Sequence, residues 1–378
     1  MNYIIEDTMI YFDNAATTYK KPDSVIHAVK RCVKSYSANP GRSGHRLSLF
    51  ASEVLYDSRV KVARLFNYPR PENVVFTLNA TYGLNMALKT LINKKGHVII
   101  SDREHNSVLR PLKMLCDTVG VEYSVYNSRA DNVFLEIERH IRPDTYAIIS
   151  TLMSNVTGEV IPLFLLSELK RKHKLVLIVD ASQAAGHFPI DLSDIAFDAL
   201  VAPGHKALFG IMGAGFVIFD NAPEISFIEG GSGSDSRNEY MPKYLPELME
   251  AGTVPLPAIT ALGAGIDFIT RISVPCIEGR ISYLTRLLYA SISNIKGVNV
   301  YGSENGIVAF NVSGMLAEDV SERLSDRGIC VRSGLHCAPL AHKSIGTYDV
   351  GCVRASLSYF NTEREIKRFC DALSKIQQ

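Results

Sequence analysis

Apolar residues in this chain gather into short runs, each followed by a polar or glycine-bearing turn and then by apolar residues at helical spacing. Residues 74–77, 97–100, 121–125, 146–151 and 175–179 read as strands, the last of them buried. Helical spacing follows over 82–92, from Glu104 onward, over 132–141 and over 163–173. Strand and helix in alternation predict an α/β fold with a mainly parallel sheet covered on both faces. A glycine-rich strand over 213–219 and a helix over 258–272 close this region. Ile10-Tyr11-Phe12 reads as a strand, and Asp13-Asn14-Ala15-Ala16-Thr17-Thr18 as a loop opening a helix. Beyond residue 272 the pattern thins to strands over 307–312 and 328–331, with helices over 317–326 and from 362 to the end. That suggests a small α+β domain. The expected division is a large domain over 13–265 and a small one over 266–378 that takes in residues 1–12.

Composition narrows the function classes. With 378 residues the chain can build about two cores. Lys+Arg 40 against Asp+Glu 39 leaves no electrostatic case for nucleic acid or an anionic membrane. The first residues are acidic and lack a signal-peptide pattern, and no apolar run reaches the ~20 residues of a membrane helix. A cytoplasmic protein is expected. Seven cysteines occur with no C-x-x-C pair, which argues against a disulfide framework and gives no metal motif.

The candidate chemistry begins with Asp180, at the end of a strand, and Lys206, within Pro203-Gly204-His205-Lys206. Ligands of α/β sheets bind beyond the carboxyl ends of the strands. A lysine there can form a Schiff base, and a fixed aspartate can keep a pyridine nitrogen protonated. The same two residues also suit a helix cap and a solvated loop. Together with Ala181-Ser182-Gln183, however, they resemble the cofactor segment of fold-type I pyridoxal phosphate (PLP) enzymes, in the class V aminotransferase branch. That resemblance implies a large domain with a mainly parallel seven-stranded sheet plus the small α+β domain. It implies that Lys206 carries PLP, Asp180 pairs with the ring nitrogen, Gln183 bonds the ring oxygen and His205 reaches the phosphate.

Other segments fit the same resemblance. Leu78-Asn79-Ala80-Thr81 opens a helix where the family grips the phosphate. Thr81 aligns with a phosphate contact, while Asn79-Ala80 replaces the more usual Gly-Thr. In Glu104-His105-Asn106-Ser107, His105 matches the imidazole that stacks over the ring and moves protons. By residue type alone such a histidine is more often a cap or a surface residue. Asn155, in Ser154-Asn155-Val156-Thr157-Gly158, corresponds to a residue near the ring oxygen and the substrate carboxylate. Asn14 and His45 lie in loops that the family places by the active site. Glu250-Ala251-Gly252-Thr253 resembles a dimer-contact motif, which implies a homodimer in which Thr253 reaches the neighbouring subunit's phosphate. The Gly/Ser-rich stretch 229–236 before it reads as a linker or a mobile loop.

The remaining motif is Arg332-Ser333-Gly334-Leu335-His336-Cys337-Ala338, with Arg354-Ala355-Ser356 soon after it. A thiolate is the reactive form of cysteine, and neighbouring cations favour it; a buried structural thiol is the plain alternative. The set resembles group II cysteine desulfurases and their selenocysteine lyase relatives, across essentially the whole chain. The resemblance implies a sulfurtransferase that converts L-cysteine to L-alanine. Arg354 and Asn155 would hold the substrate carboxylate, Lys206 and His105 would move the α-proton, and Cys337 would receive the sulfur as a persulfide. An acceptor protein, in sulfur metabolism such as iron–sulfur cluster assembly, would then take it. Alternatives are a selenocysteine lyase, a class V aminotransferase or epimerase, and a degenerate fold serving as scaffold or carrier. Two residues depart from the family pattern. Leu335 replaces a common histidine, and Pro203 replaces a phosphate-binding Ser or Thr.

Overall fold

The computed structural model describes residues 9–41, 43–234 and 236–376. Residues 1–8, expected in the small domain, and Asp235 of the Gly/Ser stretch lie outside the described residues. Among the described residues the chain divides into two compact units, one of residues 21–152 and 161–274, the other of residues 9–20, 153–160 and 275–376. The expected boundary at 265 falls inside the helix Leu256–Ile272. Residues 153–160 leave the first unit for the second and return, an excursion that apolar periodicity does not encode.

The first unit is built on a seven-stranded sheet in the order Val74–Thr77, Gly215–Phe219, Ala199–Pro203, Val176–Asp180, Thr145–Thr151, Gly96–Ser101, Val121–Tyr126. Gly215–Phe219 is antiparallel to both of its neighbours, and the other pairings are parallel. The sheet is therefore mainly parallel, as expected. Val176–Asp180 is apolar until its last residue because both faces are covered; Leu177, Ile178 and Val179 have no exposed surface. Two crossover helices start just beyond a strand's carboxyl end. Ala80–Leu91 follows Val74–Thr77, and Asn106–Val119 follows Gly96–Ser101. That edge gathers the turns that carry the candidate polar residues.

The second unit holds a four-stranded antiparallel sheet in the order Arg332–Gly334, Cys352–Ser356, Ile307–Val312, Val298–Glu304. The strand expected over 328–331 ends early: Ile329–Cys330 pairs in parallel with Ile10–Tyr11, and the chain then passes into the larger sheet. The polar segment after Ile10–Tyr11 does not open a helix at once. The first helix begins at Asp23, because Pro22 fits the position before a helix while Asn14 is engaged elsewhere. Helices over Val274–Ser293 and Glu363–Lys375 cover the sheet's apolar face, where Phe310, Leu288 and Phe369 join one core cluster. Glu363–Lys375 starts with a capping box, Thr362 accepting from the Glu365 amide and Glu365 accepting from the Thr362 amide.

Gly265, in the first unit, has no room for a side chain. A Cβ on Gly265, inside Leu256–Ile272, would lie 2.1 Å from the Leu208 carbonyl oxygen. Gly265→Ala must therefore push this helix off the turn at 204–210. Equilibrium urea unfolding should show a loss of about 1–3 kcal/mol, the usual cost of overpacking. Parent-like stability would mean that the contact is soft.

Candidate active site

In the first unit the polar residues singled out from the sequence collect on the turns beyond the strands' carboxyl ends. Asp180 is 3% exposed and its carboxylate accepts from the Ser182 amide at 2.9 Å. The turn fixes the carboxylate before any ligand does. Gln183 is buried on the same turn. His105 is the N-cap of Asn106–Val119; its Nδ1 accepts from the Ser107 amide at 3.0 Å. The neutral ring therefore carries its hydrogen on Nε2. The Ser107 hydroxyl lies 2.9 Å from the same Nδ1 and 2.7 Å from the Thr81 hydroxyl, so one hydrogen-bonded chain joins His105 to Thr81. Asn79 rather than Thr81 caps Ala80–Leu91, accepting from the Tyr82 amide at 2.9 Å. Ala80 and Thr81 thus lie in the first turn of the helix, whose amides suit an anion.

Lys206 stands partly exposed in the turn after Ala199–Pro203. That turn is held by Gly204 N donating to Ala214 O at 2.9 Å and by Gly210 N donating to Gly204 O at 2.8 Å. Lys21 was not singled out from the sequence. Its ammonium donates to the His205 carbonyl at 3.0 Å, and burial lowers its pKa to about 8. Burial, with Lys206 and Lys21 adding to it, pushes His205 down to about 4. His205 is therefore a neutral imidazole at pH 7 and offers a hydrogen bond without charge. His45 caps Arg46–Leu65 through Nδ1, 3.2 Å from the Ser48 amide, and is exposed. Thr253 is exposed and accepts from Asn39 at 3.3 Å. Beside it a cavity of about 450 Å³ is lined by Gly252, Val254, Tyr56 and the buried pair Arg59–Glu250.

Glu104 figures in the sequence only as one letter of the motif around His105. It is fully buried, accepts from the Thr151 amide at 2.8 Å and from the Ser101 hydroxyl, and leaves its second oxygen without a hydrogen-bond partner. Burial drives its pKa up to about 8, against hydrogen bonds from Ser101 and Thr151, with the Asp180 charge adding to the rise. A protonated carboxyl therefore lies near the Asp180 carboxylate.

In the second unit Cys337 sits in a turn after Arg332–Gly334, and the Arg332 guanidinium lies 3.9 Å from its sulfur. His336 and Cys337 are both left-handed, at φ +50° and +57°. Two consecutive non-glycine residues in that region carry strain that the surroundings must hold. Asn155 helps: its side-chain amide donates to the His336 carbonyl at 2.7 Å. Arg354 is 1% exposed, donates to Asp13 at 2.7 Å and to the Asn155 carbonyl at 2.9 Å, and keeps Nε without a hydrogen-bond partner. The Asn14 amide contacts the Tyr11 and Ser356 carbonyls and Asn361, so it works as a clip between segments. His336 adds no cation beside the thiol, because burial first, and then Arg354, push it down to about 2.

The family "Aminotransferase class-V" matches residues 10–369. The chain belongs to the class V aminotransferase family. It is 33% identical over 380 residues to a probable cysteine desulfurase of Methanothermobacter thermautotrophicus, covering 97% of this chain and 94% of that one. It is 31% identical over 386 residues to a cysteine desulfurase of Salmonella agona, covering 98% and 94%. Among solved structures, an apo cysteine desulfurase from Thermococcus onnurineus NA1 superposes with TM-score 0.87 at 28% identity, covering 97% of this chain and 94% of that one. A cysteine desulfurase from Escherichia coli gives TM-score 0.88 at 24% identity, with 98% and 95% covered, and bears on the fold alone.

The Glu104 geometry has a pH signature. In the folded protein its pKa is about 8 against an ordinary 4.5, so the native state holds a proton that the unfolded chain has released. This contribution to stability is complete below the unfolded value and is lost as pH rises through the folded one. Glu104→Gln should remove the decline between those two values, measured as urea midpoints across that range. A variant that declines in parallel with the parent would place the titration elsewhere.

Proposed function

We propose that this chain is a PLP-dependent cysteine desulfurase, which converts L-cysteine to L-alanine and leaves a persulfide on Cys337. The observation that carries this reading is the Cys337 thiol on a left-handed turn beside the Arg332 guanidinium. A class V enzyme that only exchanges amino groups has no use for such a thiol. The relatives' names point the same way.

The donor set of the first unit suits PLP. Lys206 supplies an amine, Asp180 a turn-held carboxylate for a protonated ring nitrogen, and Ala80–Leu91 a helix N-terminus with the Thr81 hydroxyl for a phosphate. When bound, PLP supplies an electron sink for the α-carbon of the substrate. Gln183 would bond the ring oxygen. His105 presents its Nε2 hydrogen, while the Ser107–Thr81 chain fixes the other nitrogen. On this reading the Lys206 amine takes the α-proton, and His105 holds or passes one. Arg354 offers its remaining Nε hydrogen to the substrate carboxylate, with Asp13 and the Asn155 carbonyl holding the guanidinium in place. Cys337 attacks the substrate sulfur as a thiolate. The carbon–sulfur bond breaks, its electrons pass to carbon, and a sulfur–sulfur bond remains on the enzyme.

The exposed Thr253 supports the homodimer reading, in which it serves a neighbouring subunit. His45 and Asn14 act on this reading through the loops they cap and clip. A partner protein that removes the sulfur completes the cycle.

Incubating the PLP-loaded protein with L-cysteine tests the assignment. Alanine and a Cys337 persulfide should form, and Cys337→Ser should abolish both while the cofactor stays bound. Desulfuration at the parent rate by Cys337→Ser would return the thiol to a structural role and favour an aminotransferase. A parallel assay with L-selenocysteine separates a lyase of that substrate. Pro203 is buried at the end of its strand and has neither hydroxyl nor N–H to offer a phosphate. A hydrogen bond to a charged group contributes about 1.5–3 kcal/mol, so Pro203→Ser should slow cofactor loss on dialysis by roughly ten- to a hundredfold. Faster loss would mean that proline shapes the turn.

A further inference from the structure

Behind Cys337 runs a buried hydrogen-bonded chain whose proton positions are set by its ends. His336 Nε2 lies 3.3 Å from the Arg332 carbonyl oxygen. A carbonyl only accepts, so Nε2 carries the hydrogen and Nδ1 is an acceptor. That Nδ1 lies 3.3 Å from Nε2 of His342, which must then be the donor. His342 Nδ1 in turn accepts from the Thr347 hydroxyl, 2.7 Å away. Direction is fixed along the whole line: Thr347 donates to His342, His342 to His336, and His336 to the backbone.

Burial keeps the line neutral. His336 is 2% exposed, and His342 and Thr347 have no exposed surface. Loss of hydration pushes His342 down to about 4, as it pushes His336 to about 2. The two ring centroids lie 5.5 Å apart with 10° between their planes, the edge-to-edge arrangement that an in-plane N–H···N bond requires. Cys352 brings its sulfur within 4.8 Å of the facing nitrogens, so a bound metal is the competing use of this cluster. Burial raises the Cys352 thiol to about 12, so a metal would first have to displace its proton. The space between the rings is already spanned by a hydrogen bond.

We propose that His342 and Thr347 are positioning residues for Cys337, fixing the His336 imidazole in one tautomer and one orientation and so holding the left-handed turn that presents the thiol. This rests on the reading of Cys337 as the group that accepts sulfur. His336 links the line to the thiol, since it is itself left-handed and directly precedes Cys337. Its carbonyl is held by Asn155 and its ring by His342, so the turn is gripped at both ends of one residue. Without the Thr347 hydroxyl, His342 Nδ1 loses its donor and the opposite tautomer becomes available. That tautomer places two acceptors face to face at His336 and frees the ring to turn.

The test compares Thr347→Val, which removes the hydroxyl and keeps the branched shape, with Thr347→Ser, which restores a hydroxyl. His342→Gln is the second variant. Desulfuration kinetics are measured together with the alkylation rate of Cys337, identified by peptide mass, and with melting temperature. Thr347→Val and His342→Gln should lower kcat by about ten- to a hundredfold through misplacement of the thiol. KM should stay within about twofold, because the substrate contacts are untouched. Cys337 alkylation should change in step, and Thr347→Ser should recover both. Parent-like kcat and alkylation in the two variants would overturn the proposal. So would a Thr347→Ser as impaired as Thr347→Val, or zinc retained at one per chain with activity lost on chelation. Cys337→Ser run alongside separates the failures: if it still desulfurates, the nucleophile reading falls first and carries this one with it.

Discussion

The second unit depends on one buried guanidinium. Arg354 reaches Asp13 from the N-terminal segment and the Asn155 carbonyl from the excursion at 153–160, while its own backbone lies in the strand Cys352–Ser356. Three stretches far apart in sequence therefore meet at a single charge. Removing one partner of such a pair strands the other without water, which is costlier than the pair is stabilising. Backbone bonds reinforce the junction. Ser356 N donates to Phe12 O at 2.6 Å, and Ala15 N donates to the Ser356 hydroxyl at 2.9 Å.

The same junction arranges the charges around the thiol. Arg332 and Arg354 are directly opposite one another in the antiparallel ladder. Side chains of opposite residues leave the sheet on one face, and like charges there repel. The repulsion is relieved by dividing the partners. Arg354 takes the Asp13 carboxylate, and Arg332 is left to face the Cys337 sulfur. The acid before Asn14 is thus as much a part of the thiol's environment as the arginine beside it.

Strands buried on both faces were legible because burial writes an unbroken apolar run, as at Val176–Asp180, and the helix Leu163–His173 stands where its apolar spacing puts it. Cys352–Ser356 was not legible. Its centre is a buried arginine and its last residue a buried serine, both held by partners that no local pattern announces. Val298–Glu304 is an edge strand with polar positions, and Val274–Ser293 carries Glu278, Arg280 and Arg286 on a helix that only packing defines. Among the candidate residues, Asp180, Lys206, His105 and Cys337 stand out through the motifs around them and the family those motifs resemble. Glu104, Lys21 and His342 do not. Their roles come from burial and from contacts made by distant parts of the chain, as when Lys21 bonds the carbonyl of His205.

Neutral and charged groups are also sorted by what each can do. An arginine stays protonated at any pH the fold survives, so the positive charge beside Cys337 is permanent. Had His336 supplied it, the charge would vanish near neutrality, where an unperturbed imidazole titrates. Burying His336 removes that dependence and frees its ring for a geometric task. The two bonds of its ring can then set a direction, because a neutral imidazole has one donor and one acceptor, whereas a charged one has two donors. A line that ends on a carbonyl at one side and a hydroxyl at the other admits a neutral ring in a single sense. Electrostatics at the thiol thus rests on Arg332, and its placement rests on uncharged hydrogen bonds.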